Sequence, residues 1–411
     1  MTRIGLALAL MAAAARPVAQ SPSAGEPQDV RRTIDRAHTA AFNLDHDEAL
    51  ALARQAVALA PDVPAAHRAL ATVLWTSILF RTGAVTVDHF MGSLTKSRDS
   101  RPPVPPDLLA ELTSAVERAI ALADDRVARD PERVDARYEL GAAYAIQASF
   151  RASVEGSVRS AFGAARQAYS NQERVLAREP EHPGANVIAG TYRYVVSGLG
   201  LPTRWLAYMV GFGGDRERGI AMIEAASRHT RSEVDALAAL LLIYTREDRH
   251  ADALAVAERL ARAYPRNRLF ALEVGSAALR AGRPTQAELA LSAGLVALEH
   301  DRRPLAPGER ALWHYKRASA RIALGRLHDA GRDLEAALAA GPLVWIRGRI
   351  HLERGKIHDL EGRRDQARAA YDVARQIAAA NDDPIGQAAA DRYRNRAFVR
   401  DETSGGPGPV D

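Results

Sequence analysis

The chain has 411 residues, of which 47% are hydrophobic and 26% charged, and this balance excludes a wholly disordered protein. It contains no cysteine, which excludes disulfides, thiolate nucleophiles, cysteine-ligated metals and a lipid-anchored cysteine. The net charge of +5 arises from 55 basic and 50 acidic residues without long runs of one sign. We therefore predict a mixed-charge surface and no nucleic-acid partner.

The amino-terminal segment, residues 1–19, has the pattern of a secretory signal peptide. Arg3 supplies the positive start, and an unbroken run of apolar residues and glycine follows over 4–15. This run is shorter than the roughly 20 residues that a membrane-spanning helix needs. The alternative is an apolar first helix of the fold, but the polar linker at 20–29 favours cleavage after Ala19. We expect export to a bacterial periplasm or out of the cell.

Helix-pair signals begin directly after this linker. A predicted helix at Asp47–Ala60 closes a unit over 30–63. The next first helix starts near His67, and a connection rich in glycine, serine and proline at 82–106 separates it from a long helix that ends at Asp130.

Two further pairs in this half depart from a regular repeat. The first starts near Tyr138, is longer than a standard pair and closes at Pro180. The second starts near Asn186, and its partner helix is delayed until Asp215–His229. The segment between the two helices of this second pair, from Ser197 to Asp215, is the least repeat-like in the chain.

The carboxyl-terminal half repeats a helix, a tight turn and a second helix. The predicted helices, all apolar at helical spacing, are Val234–Arg246, Ala251–Tyr264, Leu269–Ala281, Thr285–Leu298, Ala311–Leu324, Leu327–Ala340, Gly348–Leu360 and Asp365–Ala380.

These pairs resemble the tetratricopeptide repeat, an antiparallel helix pair of about 34 residues. Small residues let its two helices approach closely, and its turn residue tolerates a positive φ. Asp248 and Glu299 replace the turn glycine and the proline in two units. The unit that starts at Ala311 carries the family's marks at Ala318, Gly325, Ala330, Ala337 and Pro342. The resemblance implies an all-α fold, a right-handed α-solenoid of helix hairpins with insertions in its amino-terminal half.

Residues 190–245 also resemble a eukaryotic repeat group, the tetratricopeptide-39 and mitochondrial inclusion-body-clearance family. The likeness rests on the sequence Gly-Phe-Gly-Gly-Asp-Arg from Gly211, which follows an apolar helix. It implies a shared repeat variant and not a shared cellular role.

The sequence pattern divides the chain into five segments. They are a signal peptide at 1–19, a linker at 20–29, an amino-terminal helical region with insertions at 30–214, a carboxyl-terminal repeat array with a capping helix at 215–397, and a flexible tail at 398–411.

Candidate catalytic and ligand-binding groups lack the spacing that such chemistry needs. No Gly-x-Ser-x-Gly or His-Glu-x-x-His motif occurs, and His351 and His358 could share a metal only with help from a neighbouring helix. The glycines at 211–214 precede Asp215, which we predict as a helix N-cap and not as part of a phosphate loop. We predict a protein that is not an enzyme and binds neither a cofactor nor a metal.

The first helices of the hairpins are expected to line the concave groove of the solenoid. Arg246 and Arg280 occupy equivalent positions on adjacent first helices, which predicts a contact with a partner's carboxylate or phosphate. The alternative is that Glu247 or another nearby acid neutralises them. The residues predicted to contact a protein or peptide partner are Tyr138, Tyr194, Leu242, Arg246, Ser276, Arg280, Tyr315 and Lys356.

An apolar stripe within the least repeat-like segment has two interpretations. It is either core packing, or a contact with an apolar ligand or a peripheral membrane surface. The stripe consists of Trp205, Tyr208, Met209 and Phe212.

The leading hypothesis for function is an exported, non-catalytic scaffold that mediates protein–protein interaction through this groove. The alternative is a periplasmic ligand-binding component of a transport system, like the tetratricopeptide proteins that accompany some transporters. In that case the insertions would close a pocket around a small amphiphile.

Overall fold

The structure is a computed structural model that describes residues 27–91, 102–198, 214–229 and 233–400. Within these ranges the chain forms helices and turns and no strand, which confirms the all-α prediction. The helices are α1 Gln28–Phe42, α2 His46–Leu59, α3 Pro64–Arg81, α4 Val87–Phe90, α5 Pro106–Arg129, α6 Val134–Ser153, α7 Val158–Arg178, α8 Pro183–Ser197, α9 Arg216–Ala226, α10 Glu233–Arg246, α11 His250–Ala263, α12 Arg268–Arg280, α13 Pro284–His300, α14 Glu309–Ala323, α15 Leu327–Ala339, α16 Val344–Leu360, α17 Arg364–Ala380 and α18 Pro384–Asn395.

The chain divides into two compact units. The first consists of Met1–Leu79 and Val104–Ile243, and the second of Phe80–Pro103 and Tyr244–Asp411. This division differs from the sequence-based boundary at residue 214, because α8 packs against α9 and the hairpin they form lies within the first unit. It also assigns the segment after α3 to the second unit.

In the first unit, antiparallel pairs pack in chain order. The helix α1 packs on α2, α5 on α6, α6 on α7, α7 on α8, and α8 on α9. Leu74, Ile78, Leu112 and Ile146 are fully buried in an apolar cluster that joins residues of α1, α2, α3, α5 and α6. The apolar stripe of each helix therefore faces its neighbours, as the helical spacing predicts.

The long α6–α7 pair explains the extended unit of the sequence. The two helices have 20 and 21 residues, and the turn between them contains Gly156 with a φ of 65°. The additional length lies in the helices and not in a loop.

The delayed partner helix is confirmed as α9. Its N-cap is Asp215, whose carboxylate accepts a hydrogen bond from the amide of Arg218 at 3.0 Å, as predicted. The crossing of α8 and α9 is set by two glycines. A Cβ on Gly190 would lie 2.7 Å from the carbonyl oxygen of Gly219, and a Cβ on Gly219 would lie 2.6 Å from that of Gly190. Only glycine permits this close approach of two backbones.

In the second unit, each helix from α11 to α17 packs on the next one along the chain. The first helices of successive hairpins also pack on one another, α12 on α14, α14 on α16 and α16 on α18. This is the stacking that a repeat array requires, because each hairpin buries its apolar face against its neighbours.

The turns of this array follow the sequence prediction. Gly282, Gly325 and Gly362 have φ values of 71°, 77° and 76°, and Asp248 takes the same left-handed region at 56° in the turn where it replaces glycine. Aspartate tolerates this region better than most other residues do.

Small residues inside the helices leave room for large side chains of the next helix. A Cβ on Gly294 would lie 2.1 Å from the fully buried Trp313 ring, and a Cβ on Gly355 would lie 2.3 Å from the buried Tyr371 ring. These contacts account for the small residues that the repeat pattern demands.

A short insertion at 301–308 interrupts the array, and the sequence pattern did not predict it. Arg268 holds it in place, because its guanidinium donates to Asp301 at 3.0 Å, to the Pro304 carbonyl oxygen at 2.6 Å and to the buried Glu309 at 2.5 Å. Glu309 also accepts the amide of Ala306 at 2.8 Å. The ion pair is buried and its hydrogen bonds are satisfied, so it fixes the path of the insertion.

Residues 398–400, which the sequence assigned to a flexible tail, lie against the end of the array. The amide of Phe398 donates to the buried Asp359 carboxylate at 2.8 Å, and its ring lies 5.3 Å from that of Tyr393. The rest of the predicted tail, 401–411, lies outside the described residues, as do the signal peptide, most of the linker and the Gly-Phe-Gly segment.

We predict that Gly190→Ala destabilises the first unit by roughly 1–3 kcal/mol, because the added methyl group forces α8 and α9 apart. Urea unfolding followed by circular dichroism measures the change. Gly163→Ala is the matched control, since it also lies in a helix, α7, and a Cβ there meets nothing within 4 Å. The control should keep the parent's free energy of unfolding or gain about 0.5–1 kcal/mol. Equal urea midpoints for the two variants would contradict the prediction.

Candidate functional site

The residues predicted to line the groove all lie on first helices of hairpins. Tyr138 lies on α6, Tyr194 on α8, Leu242 and Arg246 on α10, Ser276 and Arg280 on α12, Tyr315 on α14 and Lys356 on α16.

Most of these positions are buried, which an open groove does not explain. The exposed fractions are 1% for Tyr138, 9% for Tyr194, 6% for Leu242, 2% for Ser276 and 8% for Tyr315. In the second unit, two segments of the chain itself cover the first helices.

The first of these segments is residues 82–91, which we call the strap. It follows α3 and contains the one-turn helix α4. Gly83 has a φ of 74° and lies against the insertion, where a Cβ would be 2.8 Å from both the Pro307 carbonyl oxygen and the Leu343 side chain. Both the backbone conformation and the available space therefore require glycine at the start of the strap.

Asp88 anchors the strap to two first helices. Its Oδ1 accepts a hydrogen bond from Arg280 of α12 and its Oδ2 accepts one from Lys316 of α14. The side chain of Lys316 is 8% exposed and that of Arg280 is 19% exposed. The predicted carboxylate contact of Arg280 therefore exists, but the carboxylate belongs to the same chain.

The backbone of the strap makes a further contact with α12. The amide of Val87 donates to Oε1 of Glu273 at 2.7 Å, and Glu273 is 4% exposed. A backbone donor facing a buried acceptor is how proteins commonly bind an extended or turning peptide segment. The strap also contacts α16, because the ring of His89 lies edge-on to that of Trp345 with the ring centres 6.4 Å apart.

Opposing effects act on the charges of this cluster. Burial alone would raise the pKa of Asp88, but the positive charges of Arg280 and Lys316 outweigh it and hold the pKa well below its usual range. Burial raises the pKa of Glu273. The Asp88 carboxylate therefore stays ionised in mildly acidic solution, where its two ion pairs persist.

Arg349 of α16 stands near the same cluster, and its charge also lowers the pKa of Asp88. Its guanidinium donates two hydrogen bonds to Asp383, at 2.9 and 2.8 Å. Asp383 in turn caps α18 by accepting the amide of Gly386 at 3.0 Å. This pair fixes the stacking of the last hairpins.

The second covering segment is the carboxyl-terminal stretch around Phe398. Lys356, another predicted groove residue, donates to Glu353 at 2.7 Å and lies over the rings of Tyr393 and Phe398, with its Nζ 5.6 and 5.2 Å from the two ring centres. An ammonium group at this distance from aromatic rings makes a favourable cation–π contact.

In the first unit, Tyr138 is a core residue. Its ring lies 4.7 Å from that of His182, and the guanidinium of Arg68 lies 5.9 Å from its centre. Arg68 is fully buried and donates to Glu139 at 2.6 and 3.1 Å. This position contributes to packing and not to an open surface.

The two remaining predicted contacts are Arg246 and the apolar stripe. Arg246 is the last residue of α10 and is partly buried. The apolar stripe of Trp205, Tyr208, Met209 and Phe212 lies outside the described residues, so its two interpretations stay open.

No three His, Asp or Glu side chains of the described residues are grouped so that they could hold a metal ion. In the same ranges no helix is both long and apolar enough to cross a membrane.

Sequence reasoning missed the strap because its partners are distant along the chain. Asp88 lies 192 residues from Arg280 and 228 residues from Lys316. One available signal was that residues 84–91 are largely apolar within an otherwise polar connection, which is typical of a segment that packs on the fold.

The similarity of this chain to known proteins is low. No protein-family model and no curated protein sequence matches the chain. A tetratricopeptide repeat protein from Parabacteroides merdae is 11% identical, with a TM-score of 0.31, over 80% of this chain and 100% of that one. Yeast Tom70 is 10% identical, with a TM-score of 0.37, over 89% of each chain. Human IFIT1, solved as a dimer with PPP-AAAA, is 14% identical, with a TM-score of 0.42, over 90% of this chain and 86% of its own.

The chain folds as tetratricopeptide-like helix hairpins. This assignment rests on the helix bounds, the left-handed turn residues and the stacking of first helices. It does not rest on the solved structures, whose TM-scores are low.

We predict that His182 makes the stability of the first unit depend on pH. Burial lowers the pKa of this histidine to about 4, from an ordinary 6.5. Its Nδ1 accepts the amide of Ala185 at 3.1 Å as the N-cap of α8, and protonation there would remove the acceptor. Because the unfolded chain binds the proton more readily, stability falls as the pH drops from about 6.5 to about 4, by about 3 kcal/mol in total.

The variant His182→Asn tests this origin, because asparagine keeps an N-cap acceptor and does not titrate. Urea midpoints of the variant should change less between pH 7 and pH 4.5 than those of the parent. His229→Asn, at an exposed histidine of the same unit, is the control. A parent-like pH dependence in His182→Asn would show that another group is responsible.

Proposed function

We propose that the protein is an exported, non-catalytic scaffold that binds a protein or peptide partner on the first-helix face of its repeat array. The observation that carries this proposal is the strap. The first helices of the second unit already hold a short peptide segment by a carboxylate, a backbone amide and an aromatic ring. A face that binds one peptide in this manner has the chemistry to bind another.

Helix hairpins suit such a role physically. Each hairpin contributes one first helix, so successive helices present side chains at regular intervals along an extended partner. Arg280, Lys316 and Lys356 recur on three successive first helices, which favours a partner with acidic groups.

Export is the second part of the proposal, and the pattern of residues 1–19 supports it. The test is amino-terminal sequencing of the protein made in its own cells. We predict a mature product that begins near Gln20. A full-length cytoplasmic product that begins at Met1 or Thr2 would contradict export without affecting the scaffold.

The scaffold itself is tested by affinity capture. The mature protein, tagged at its carboxyl end, is used to retrieve partners from the envelope fraction of its own cells. We expect one defined protein to be enriched and to be released when excess untagged protein is added. Retrieval of no protein above the level of tag-only beads would contradict the scaffold.

The periplasmic ligand-binding role remains the alternative, and one observation favours it. Among the described residues, no hydrogen-bond partner is within reach of Oε2 of Glu273, Nη1 of Arg280 or Oγ1 of Thr86. Buried polar atoms normally have partners, and a small polar molecule could supply them. Native mass spectrometry of the protein purified from its own cells decides, because this role requires a bound small molecule.

A further inference from the structure

We propose that the strap is a displaceable ligand of the second unit, and that a partner binds by placing an aspartate or glutamate between Arg280 and Lys316 in the position of Asp88. This inference deepens the proposed function by naming the chemistry of the partner: an acidic residue flanked by apolar ones.

The charges of the site require an acidic occupant. Among the described residues, Asp88 is the only carboxylate that is hydrogen-bonded to Arg280 or Lys316. Both cations are largely buried, and a buried charge without a counter-charge is strongly unfavourable. Glu273 is close enough to raise the pKa of Arg280, but its hydrogen bond goes to the strap backbone. If Asp88 leaves, another carboxylate must replace it for the cluster to remain neutralised.

The flanking contacts define what else the partner must offer. Val87 and His89 are 9% and 5% exposed, so the residues on either side of the acid are enclosed. The Val87 amide faces Glu273, so a partner needs a backbone N–H directly before its acidic residue. Apolar or aromatic residues around a single acid satisfy these conditions.

The strap has the properties of a ligand and not those of a repeat. Its only helix has four residues, Val87–Phe90, and a helix of one turn is not stable by itself. The contacts that hold it include two ion pairs, the amide hydrogen bond of Val87, and the packing at Gly83 and His89. These contacts are separate from the stacking of the hairpins, so the strap can open locally without global unfolding.

The connection to α3 nevertheless favours the strap over a competitor. A tethered ligand has an effective concentration of about 1 mM or more, so a free peptide must compete with an intramolecular one. The parent protein should therefore bind acidic peptides weakly, and loosening the strap should strengthen their binding.

Two variants loosen the strap independently. Asp88→Asn removes the negative charge and keeps the shape of the side chain. Val87→Pro removes the amide that Glu273 accepts. Proline is compatible with this first helical position, because the preceding residue, Thr86, is already extended, with φ −128° and ψ 158°.

The matched control is Asp329→Asn. Asp329 also accepts hydrogen bonds from two cations, but it lies on the second helix α15, and its partners Arg326 and Arg332 belong to the same hairpin. An effect that Asp329→Asn shares with Asp88→Asn would come from the loss of a paired aspartate in general and not from the loss of the strap anchor.

The experiment measures fluorescence anisotropy of a labelled peptide with the sequence of residues 82–91, and of the same peptide with its aspartate replaced by asparagine. We expect both strap variants to bind the aspartate peptide at least tenfold more tightly than the parent and the control do. The asparagine peptide should bind at least tenfold more weakly to the Val87→Pro variant, because it cannot pair with Arg280 and Lys316.

Three results would overturn the inference. One is equal binding of the aspartate peptide to parent, control and both strap variants. Another is equal binding of the two peptides. The third is loss of cooperative unfolding in both strap variants, because a displaceable ligand is not needed for folding. If the affinity capture still retrieves a competed partner in any of these cases, the scaffold function stands and its partner binds elsewhere.

Discussion

The ion pairs of Asp88 with Arg280 and Lys316 are the interaction on which the first-helix face of the second unit depends. They connect the strap to two successive hairpins at once. Without Asp88, Glu273 would be the nearby carboxylate left for two largely buried cations, and their charges would be only partly compensated. The pairs therefore determine whether this face is open or occupied.

The hairpins beneath this face are positioned by contacts of a different kind. Gly294 and Gly355 leave room for the rings of Trp313 and Tyr371 on the next helix. These contacts are steric and local. They set the distance between helices, which in turn places the cations of successive first helices within reach of one short segment.

Self-occupancy changes how the face is understood as an interaction surface. Arg280 is covered by the strap, and Lys356 packs against the rings of Tyr393 and Phe398. A partner must therefore either displace a segment of the chain or use a different part of it. The measured affinity of such a partner depends on how often the strap opens as well as on the contacts that it makes.

The sequence by itself determined the helix hairpins, their bounds to within a few residues, the left-handed turns and the cap at Asp215. These features follow from spacing and residue type within a few turns of helix, and such short-range rules are legible in one dimension. The tertiary structure alone decided that Gly83 docks on the insertion at 301–308 and that Asp88 neutralises Arg280 and Lys316. These contacts join residues about two hundred positions apart, and no local periodicity encodes which distant charge a buried cation will meet.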